Sequence, residues 1–272
     1  MKIFKSIEEF IISKSGLGKL TFIPTMGNLH KGHASLIDIG KEFKNDVIST
    51  IYVNKLQFND QNDYLRYPKS LDNDIELLER HGCNYLLIPD DSILDEIISV
   101  KAPSKFNKLC GKNRPGHFDG VLTILNKMFK IIEPEIAIFG KKDYQQFVLV
   151  KDFIKENNLN IKIIGAETIR EESGLALSSR NNLLTRNEKL IAKNIYKVLI
   201  DLKDNKQTID LNFVNSKIKY LEDQGIKVDY LLCCDPESFE ESYNINEKDL
   251  LIAIAAYVGN VRLIDNIKLT KL

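Results

Sequence analysis

Short apolar runs and longer amphipathic segments alternate along the first two thirds of the chain. The runs are rich in β-branched residues and end at Pro, Gly or polar residues, which predicts buried strands. The longer segments repeat apolar residues at helical spacing, which predicts helices. The predicted strands cover residues 19–23, 47–53, 84–88, 135–139 and 161–164, and the predicted helices cover residues 32–43, 71–81, 117–132 and 144–156. This order predicts an α/β fold, in which a parallel sheet carries helices on both faces.

The pattern changes after about residue 175. The remaining predicted elements are helices at residues 188–202 and 211–221 and strands at residues 228–234, 251–257 and 260–264, with a turn at residues 258–260. Helices that precede neighbouring antiparallel strands are typical of a small α+β domain. We therefore predict two domains, residues 1–175 with the parallel sheet and residues 176–272 with the smaller α+β fold.

Composition and charge narrow the class of protein. The 272 residues include 38 Lys and Arg against 38 Asp and Glu, so the formal net charge is zero. A general nucleic-acid binder usually carries a basic excess, which argues against a nucleic-acid partner. No apolar stretch approaches the roughly 18 residues of a membrane span, and the N-terminus lacks the apolar core of a secretory signal. We expect a soluble cytoplasmic protein whose four cysteines are reduced thiols.

The stretch PTMGNLHKGH, residues 24–33, carries two of the four histidines. It follows the first predicted strand of the sheet and opens a predicted helix, whose N-terminal N–H groups favour a phosphate. His30 and His33 are three residues apart, so both side chains lie on one helix face and could donate hydrogen bonds to that phosphate. A solvated helix start or a metal-binding pair is the alternative, although no third or fourth zinc ligand is evident nearby in sequence.

Two further polar clusters follow predicted strands. VNKLQF, residues 53–58, offers the amides of Asn54 and Gln57, which suit a substrate hydroxyl or carboxylate; an ordinary turn is the alternative. GKKDYQQF, residues 140–147, offers Lys142 as a point charge for phosphate and Asp143 as a partner for a ribose or a helix cap. Gln146 lies on the same helix face as Lys142. The alternative for GKKDYQQF is a solvated, charged helix start, which is the usual explanation of a charge run.

Two loop segments complete the set of candidates. REESGLALSSRNNLL, residues 170–184, places Ser178, Ser179 and Arg180 where the domain pattern changes. Hydroxyls and a guanidinium on a mobile loop could close over a triphosphate, although a plain interdomain linker is the alternative. GKNRPGHFDGVLT, residues 111–123, has the glycine and proline of a shaped loop and a possible anion contact near Arg114.

In this order and spacing, the segments resemble the pantothenate synthetase family of ligases, which join pantoate to β-alanine. PTMGNLHKGH is similar to the family's P-T-M-G-x-L-H-x-G-H, VNKLQF to V-N-x-x-Q-F, and NRPGHFDGVLTIL to R-P-G-H-F-x-G-V. GKKDYQQ, REESGLALSSRNNLL and the terminal VRLIDNI also match. The resemblance covers essentially the whole chain and is densest before residue 185. H-x-G-H alone occurs throughout a broad nucleotidyltransferase superfamily, so the combination carries the resemblance.

The resemblance implies a Rossmann-like N-terminal domain, a smaller lid-like C-terminal domain and a homodimer. It also implies a reaction in two steps with small-molecule substrates. The pantoate carboxylate attacks the α-phosphorus of Mg-ATP, which releases pyrophosphate and leaves pantoyl adenylate. The β-alanine amine then attacks the adenylate carbonyl and releases AMP, which yields pantothenate for coenzyme A synthesis. The protein must supply positioning and electrostatic stabilisation at the phosphates.

Carried over onto this sequence, the resemblance implies specific residues. The catalytic residues would be His30, His33, Lys142 and Arg180, with His33 donating a proton or stabilising charge. The ATP-binding residues would be Met26, Gly27, Asn28, Leu29, His30, Lys31, Gly32, His33, Gly140, Lys141, Lys142, Asp143, Ile169, Leu177, Ser178, Ser179 and Arg180. Asn54, Gln57 and Gln146 would hold pantoate, and Gln57 would also border the β-alanine site. Mg²⁺ would bind mainly to the ATP phosphates, with Asp74 as a candidate protein ligand.

Three positions depart from the usual family pattern, and two rival functions exist. Lys31, Lys55 and Ser173 stand where an acidic residue, a proline and an acidic residue are common, but none removes a group that the mechanism needs. One rival is another H-x-G-H nucleotidyltransferase, which would need a basic pocket for a phosphorylated acceptor. The other is a silent nucleotide-binding protein on the same scaffold, which would tolerate the loss of His33.

Overall fold

The structure, a computed structural model, describes residues 1–271. Its strands are β1 (Lys2–Phe4), β2 (Leu20–Thr25), β3 (Asp46–Ile51), β4 (Tyr85–Leu87), β5 (Ile136–Gly140), β6 (Lys162–Ala166), β7 (Ile226–Cys234), β8 (Leu250–Val258) and β9 (Val261–Leu269). Its helices are α1 (Ile7–Lys14), α2 (Lys31–Lys41), α3 (Gln61–Leu65), α4 (Leu71–Arg80), α5 (Cys110–Asn113), α6 (His117–Ile132), α7 (Tyr144–Glu156), α8 (Arg186–Asp204) and α9 (Leu211–Asp223).

The chain forms two compact units. Unit 1 consists of Met1–Asn107, Gly111–Lys141 and Gln145–Glu167. Unit 2 consists of the residues from Thr168 onward together with Lys108–Cys110 and Lys142–Tyr144. The units thus change at residue 168, while the predicted domain boundary after residue 175 stays a prediction.

Unit 1 contains a six-stranded sheet in the order β1-β4-β3-β2-β5-β6, and every pair of neighbours is parallel. The order of the strands along the chain reverses between β2 and β5, because β3 and β4 lie on one side of β2 while β5 and β6 lie on the other. A parallel sheet needs helical crossovers, which bury both of its faces. The predicted fold class, a parallel sheet flanked by helices and followed by a smaller α+β fold, is therefore confirmed.

The core of unit 1 forms because its strands are apolar on both faces. Phe22 and Ile23, neighbours in β2 whose side chains point to opposite faces, are both fully buried. Helix α6 is buried along most of its length and its Phe129 packs edge-on against Phe22, with the ring centroids 6.1 Å apart. One cluster of this core contains Ile23, Leu36, Ile37, Val47, Leu78, Cys83, Leu86, Ile136, Ile138 and Ala166.

Strand β1 is absent from the prediction. It has only three residues, which is too short for an alternation to be visible. It forms by pairing with β4, where Lys2 lies opposite Tyr85 and Phe4 opposite Leu87. Phe4 is fully buried and contacts the Phe10 ring of α1 edge-on at 5.3 Å. Tertiary pairing therefore creates this edge strand.

Unit 2 contains the antiparallel sheet β7-β8-β9, against which α8 and α9 pack. Gly259, with φ +56°, and Asn260 form the tight turn between β8 and β9. Strand β9 continues through Leu269, five residues beyond the predicted end, because β8 pairs with it along its full length. The core includes Leu175, Ile195, Val198, Leu199, Leu202, Leu221, Leu231, Ile252, Ile254 and Leu263.

Within residues 1–271, no helix has both the length and the apolar composition that crossing a membrane requires.

Candidate active site

The carboxyl ends of β2 and β5 separate where the strand order reverses. β2 pairs with β5 at Thr21 and Phe22, although it pairs with β3 through Thr25. The Leu20 carbonyl accepts a hydrogen bond from the Glu135 N–H, just before β5. Backbone groups of alternate residues face the same neighbouring strand, so the backbone of Pro24 also faces β5. Because Pro24 has no N–H, it cannot continue that ladder. Ligands bind at such reversal points, so the residues after β2 and β5 line the candidate site.

The residues after β2, Met26 to His33, are called the histidine segment here. His30 is the N-cap of α2, and its Nδ1 accepts from the Gly32 N–H at 3.1 Å. The Nδ1 of His33 accepts from the His30 N–H at 3.3 Å, which completes a reciprocal capping box made of two imidazoles. Their ring centroids lie 4.1 Å apart. The two predicted phosphate contacts therefore form one rigid pair at a helix N-terminus.

The capping bonds assign the tautomer of both rings. An Nδ1 that accepts from a backbone N–H carries no hydrogen, so the ring N–H lies on Nε2 in each neutral histidine. Each Nε2 is then a hydrogen-bond donor at the positive end of the α2 dipole. The two rings can thus donate to an anion, and neither ring contributes its Nδ1 to a metal.

The Asp74 carboxylate holds the start of the histidine segment. Asp74 is 1 % exposed, and its oxygens accept from the N–H groups of Asn28 at 2.8 Å and Leu29 at 2.7 Å and from the Ser70 hydroxyl at 3.0 Å. Gly27 and Asn28 have φ values of +85° and +51°, so consecutive N–H groups converge on one anion. A Cβ at position 27 would lie 3.1 Å from Asp74 Oδ2. Asp74 therefore shapes the loop that precedes the histidines.

No cage for a metal ion accompanies Asp74. Within residues 1–271, no group of three or more His, Cys, Asp or Glu side chains is arranged to hold an ion. The two Asp74 oxygens are engaged by loop donors, as just described. The role of Asp74 as a magnesium ligand stays a prediction, while its loop contacts are a feature that sequence reasoning missed.

Asn54 and Gln57 lie beside the histidine segment. Asn54 is 2 % exposed, and its Nδ2 donates to Gln57 Oε1 and to the Gly120 carbonyl, each at 3.0 Å. Gln57 Nε2 donates to Met26 Sδ at 3.0 Å, a weak acceptor that a better one can replace. Through Met26, the structure thus brings the residues predicted to bind phosphate together with the residues predicted to bind pantoate.

The main chain of Gln57 is held from α6. His117, which is buried, places Nδ1 2.7 Å from the Gln57 carbonyl, and Arg114 donates to the same oxygen at 3.3 Å. Gly120 lets the backbones approach, since a Cβ there would lie 2.2 Å from the Leu56 carbonyl oxygen. The RPGHF segment thus positions Gln57, a function that sequence reasoning missed when it considered an anion contact.

The predicted residues after β5 divide between the two units. In unit 1, Gly140 ends β5, Lys141 pairs with the exposed Glu167, and Gln146 lies half-buried in the first turn of α7. In unit 2, the Lys142 ammonium lies 3.4 Å from the Asp143 carboxylate.

The predicted loop residues of unit 2 belong to a folded segment. The serine–arginine loop is defined here as residues 170–180. Its arms pair at Arg170 and Ala176, and the Leu177 N–H donates to Ile169 O at 3.0 Å. Ser178 caps the turn Ser179–Leu183 by accepting from the Arg180 N–H at 3.3 Å. Main-chain hydrogen bonds within the segment therefore help to shape this loop.

The structure accounts for the residue types at two positions of this loop. Gly174 has φ +87°, and a Cβ there would lie 2.1 Å from a ring carbon of Tyr196. Ser173, which departs from the family pattern, accepts from the Leu175 N–H at 3.4 Å. A carboxylate at position 173 would accept the same bond, so the substitution keeps the turn.

A buried ion pair anchors the loop to β9. Arg170 makes a two-pronged contact with Asp265, which is 4 % exposed, and one prong measures 2.9 Å. The Arg170 guanidinium also stacks on the Tyr196 ring at 4.1 Å. Burial raises the pKa of Asp265, although the Arg170 hydrogen bonds and charge act in the opposite direction. Neither Asp265 nor its role was predicted, because the pairing partner lies 95 residues away.

Comparison with known proteins identifies the family. Residues 2–268 match the family model described as pantoate-beta-alanine ligase. The pantothenate synthetase of Marinomonas sp. (strain MWYL1) is 41% identical over 263 residues, which cover 92% of this chain and 91% of that protein.

Two solved structures resemble the fold. The crystal structure of pantothenate synthetase from Thermus thermophilus superimposes with a TM-score of 0.86 at 30% identity, covering 98% of this chain and 99% of that one. The pantoate-beta-alanine ligase from Francisella tularensis, complexed with beta-gamma ATP and beta-alanine, gives a TM-score of 0.83 at 36% identity, covering 98% and 97%. The chain therefore belongs to the pantoate-beta-alanine ligase family and is an enzyme that ligates pantoate and β-alanine to pantothenate.

Proposed function

We propose that the chain performs this ligation with ATP through an acyl adenylate. A pantoate carboxylate oxygen attacks the α-phosphorus of ATP, and the bond from that phosphorus to the bridging oxygen breaks, releasing pyrophosphate. The β-alanine amine then attacks the carbonyl carbon of pantoyl adenylate, loses a proton and expels AMP. Activation is needed because a carboxylate is a poor acylating group, whereas AMP is a good leaving group.

The observation that carries the proposal is the imidazole pair at the N-terminus of α2. Both Nε2–H groups are donors whose orientation the capping box fixes before substrate arrives, so little reorganisation accompanies charge development. The pair follows β2 at the reversal of strand order. The Francisella tularensis relative was crystallised with beta-gamma ATP and beta-alanine, which supports the same substrates here.

In unit 1, the residues divide between the phosphates and pantoate. His33 and His30 stabilise charge on the ATP phosphates and on the leaving pyrophosphate. The nucleotide also contacts Met26, Gly27, Asn28, Leu29, Lys31, Gly32, Gly140 and Lys141. Gln57, Gln146 and Asn54 hold pantoate, and Gln57 exchanges its weak Met26 contact for a substrate oxygen.

In unit 2, two charged groups act on the phosphates. Lys142 supplies a point charge and Arg180 a planar guanidinium, which can donate two hydrogen bonds to a phosphate. Asp143, Ile169, Leu177, Ser178 and Ser179 complete the nucleotide contacts.

Magnesium is proposed to bind the ATP phosphates, as Mg²⁺ commonly does when few protein carboxylates are available. It would neutralise phosphate charge when bound. The Asp74 carboxylate already accepts hydrogen bonds from Asn28, Leu29 and Ser70, so few of its lone pairs are left for the ion. We further propose a homodimer and a cytoplasmic location, both on the basis of the family resemblance.

The test is a product assay with purified protein, ATP, Mg²⁺, pantoate and β-alanine. We expect AMP, pyrophosphate and pantothenate in equal amounts, and no AMP when pantoate is omitted. ADP as the product would indicate a phosphoryl-transfer mechanism and overturn the adenylate step. AMP formation that ignores pantoate but requires a phosphorylated acceptor would indicate a different nucleotidyltransferase.

A further inference from the structure

Two consecutive residues of β9, Asp265 and Asn266, contact both unit 2 segments that carry candidate nucleotide residues. Asp265 binds the guanidinium of Arg170, the first residue of the serine–arginine loop. Asn266 Nδ2 donates to the main-chain carbonyl of Lys142 at 2.8 Å. Asp265 and Asn266 thus contact Arg170 and Lys142, which precede them in the chain by 95 and 124 residues.

We propose that Asn266 is a positioning residue for the ATP half of the reaction, which fixes the Lys142 backbone relative to the serine–arginine loop. The inference rests on the function proposed above, in which Lys142 and Arg180 act on the phosphates.

Asn266 is itself held in place from the loop. Its N–H donates to Asp265 Oδ1 at 2.8 Å, and its carbonyl lies 3.5 Å from Arg170 Nη2. Arg170 in turn donates to the Gly174 carbonyl at 3.1 Å. A continuous hydrogen-bonded chain therefore runs from Gly174 through Arg170 and Asn266 to Lys142. Such a chain transmits the geometry of the loop to the lysine backbone.

The chemistry at position 266 requires an amide. The Lys142 carbonyl is an acceptor, so the side chain that faces it must donate. Aspartate has nearly the same shape as asparagine, but it would place a carboxylate oxygen against the carbonyl oxygen. The bond would be replaced by repulsion, and Lys142 would move while the surrounding packing volume stayed the same. Asn266→Asp therefore removes the contact with little change in shape.

The experiment measures pantoate-dependent ATP/pyrophosphate exchange for the wild type and Asn266→Asp. We expect the KM for ATP to rise about tenfold, which corresponds to the loss of one hydrogen bond. The KM for pantoate should stay within twofold, because Gln57 is held by Asn54, Arg114 and His117 in unit 1. A merely structural role would reduce the amount of folded enzyme and leave the KM for ATP unchanged.

Asn260→Asp is the matched control. Asn260 lies exposed in the β8–β9 turn of the same hairpin, so its replacement adds the same charge without touching either loop. It should retain the wild-type KM for ATP. Equal KM values for Asn266→Asp and Asn260→Asp would overturn the proposal.

The failure of the proposed function would look different. If the folded wild type shows no pantoate-dependent exchange, the adenylate mechanism is wrong, and hydrogen exchange then tests Asn266 directly. We expect the backbone amides of residues 141–147 to exchange hydrogen faster in Asn266→Asp than in Asn260→Asp, while hydrogen exchange in β8 stays unchanged. Identical exchange in that segment would overturn the positioning role as well.

Discussion

The candidate groups of unit 1 and unit 2 are held in different ways. The His30 ring accepts from the Gly32 N–H and the His33 ring from the His30 N–H, all within four residues, and their loop is held by one buried carboxylate. Lys142 and the serine–arginine loop depend instead on contacts with β9, across 95 residues or more of chain. The first arrangement is built into a helix start, so it forms whenever α2 forms. The second exists only after the small unit has folded.

Because the two sets of groups are held by different contacts, substitutions in the two regions should affect different steps of the reaction. Substitutions around Gln57 should alter pantoate binding and substitutions of the two histidines the chemical step, whereas substitutions in β9 should alter the ATP contacts of Lys142 and the serine–arginine loop. The variants below test that separation.

The largest effect is expected at His33. His33→Asn keeps an acceptor for the His30 N–H but loses the Nε2–H donor, so kcat for adenylate formation should fall about 10²–10³-fold. The melting temperature should stay near that of the wild type, because the cap survives. The matched control is His81→Asn at a half-buried histidine whose Nδ1 lies 2.7 Å from Asp38. Wild-type exchange rates in His33→Asn would overturn the catalytic role of His33.

Asp74→Asn should mainly affect stability. The amide has only one oxygen, so one of the two backbone N–H groups would face an NH₂ instead of an acceptor. This loss should cost about 2–3 kcal/mol of unfolding free energy. Urea denaturation measures this cost, and Asp72→Asn, on the exposed side of the same helical turn, should be neutral. Unchanged stability, together with activity restored by excess Mg²⁺, would instead identify Asp74 as a metal ligand.

His117→Phe should raise the KM for pantoate about tenfold, the equivalent of one lost hydrogen bond to Gln57. The KM for ATP should not change, which is the reverse of the result expected for Asn266→Asp. His117→Asn can place an N–H near the position of Nδ1 and should recover part of the loss. If both substrate KM values rise together in each variant, the two regions are not held independently.

The smallest effect concerns acid stability in unit 2. Burial alone would raise the pKa of Asp235, but hydrogen bonds from the Ser238 and Glu237 N–H groups and from Lys248 lower it to about 2. The ionised form is therefore favoured in the folded state. Its stabilisation, about 1–2 kcal/mol after a discount for solvent, is present above pH 4 and is lost as the pH falls through 2.

Thermal unfolding of Asp235→Asn at several pH values measures this effect. The difference in melting temperature from the wild type should be largest near pH 6 and should shrink toward pH 2. A difference that does not depend on pH would show that the charge of Asp235 contributes nothing to stability.

Much of the fold could be predicted because its signals are local. The predicted helices at residues 117–132 and 144–156 coincide with α6 and α7, whose apolar periodicity is sustained for three to four turns. The large strands shift by only one or two residues. Strand β1 and the end of β9 could not be predicted, because pairing with β4 and β8 creates them. In β9, Asp265 and Asn266 interrupt the apolar pattern that defines a strand.

In the candidate site, too, features with a local sequence pattern could be predicted and features that depend on distant contacts could not. The histidine segment was predictable because two histidines after a strand and before a helix form a local pattern. The loop contacts of Asp74 and the contacts of His117 were not, since each acts on backbone groups more than 40 residues away. Arg170 was visible in its motif, but nothing in the sequence pairs it with Asp265. The catalytic and binding roles of the individual residues stay predictions.

ATP/pyrophosphate exchange without β-alanine tests the central claim most directly. The folded protein is incubated with ATP, Mg²⁺ and labelled pyrophosphate, with and without pantoate. We predict that label enters ATP only when pantoate is present and that His33→Asn loses this exchange while His81→Asn keeps it. Exchange without pantoate, or no exchange from folded protein under either condition, would contradict a pantoyl adenylate formed at the histidine pair.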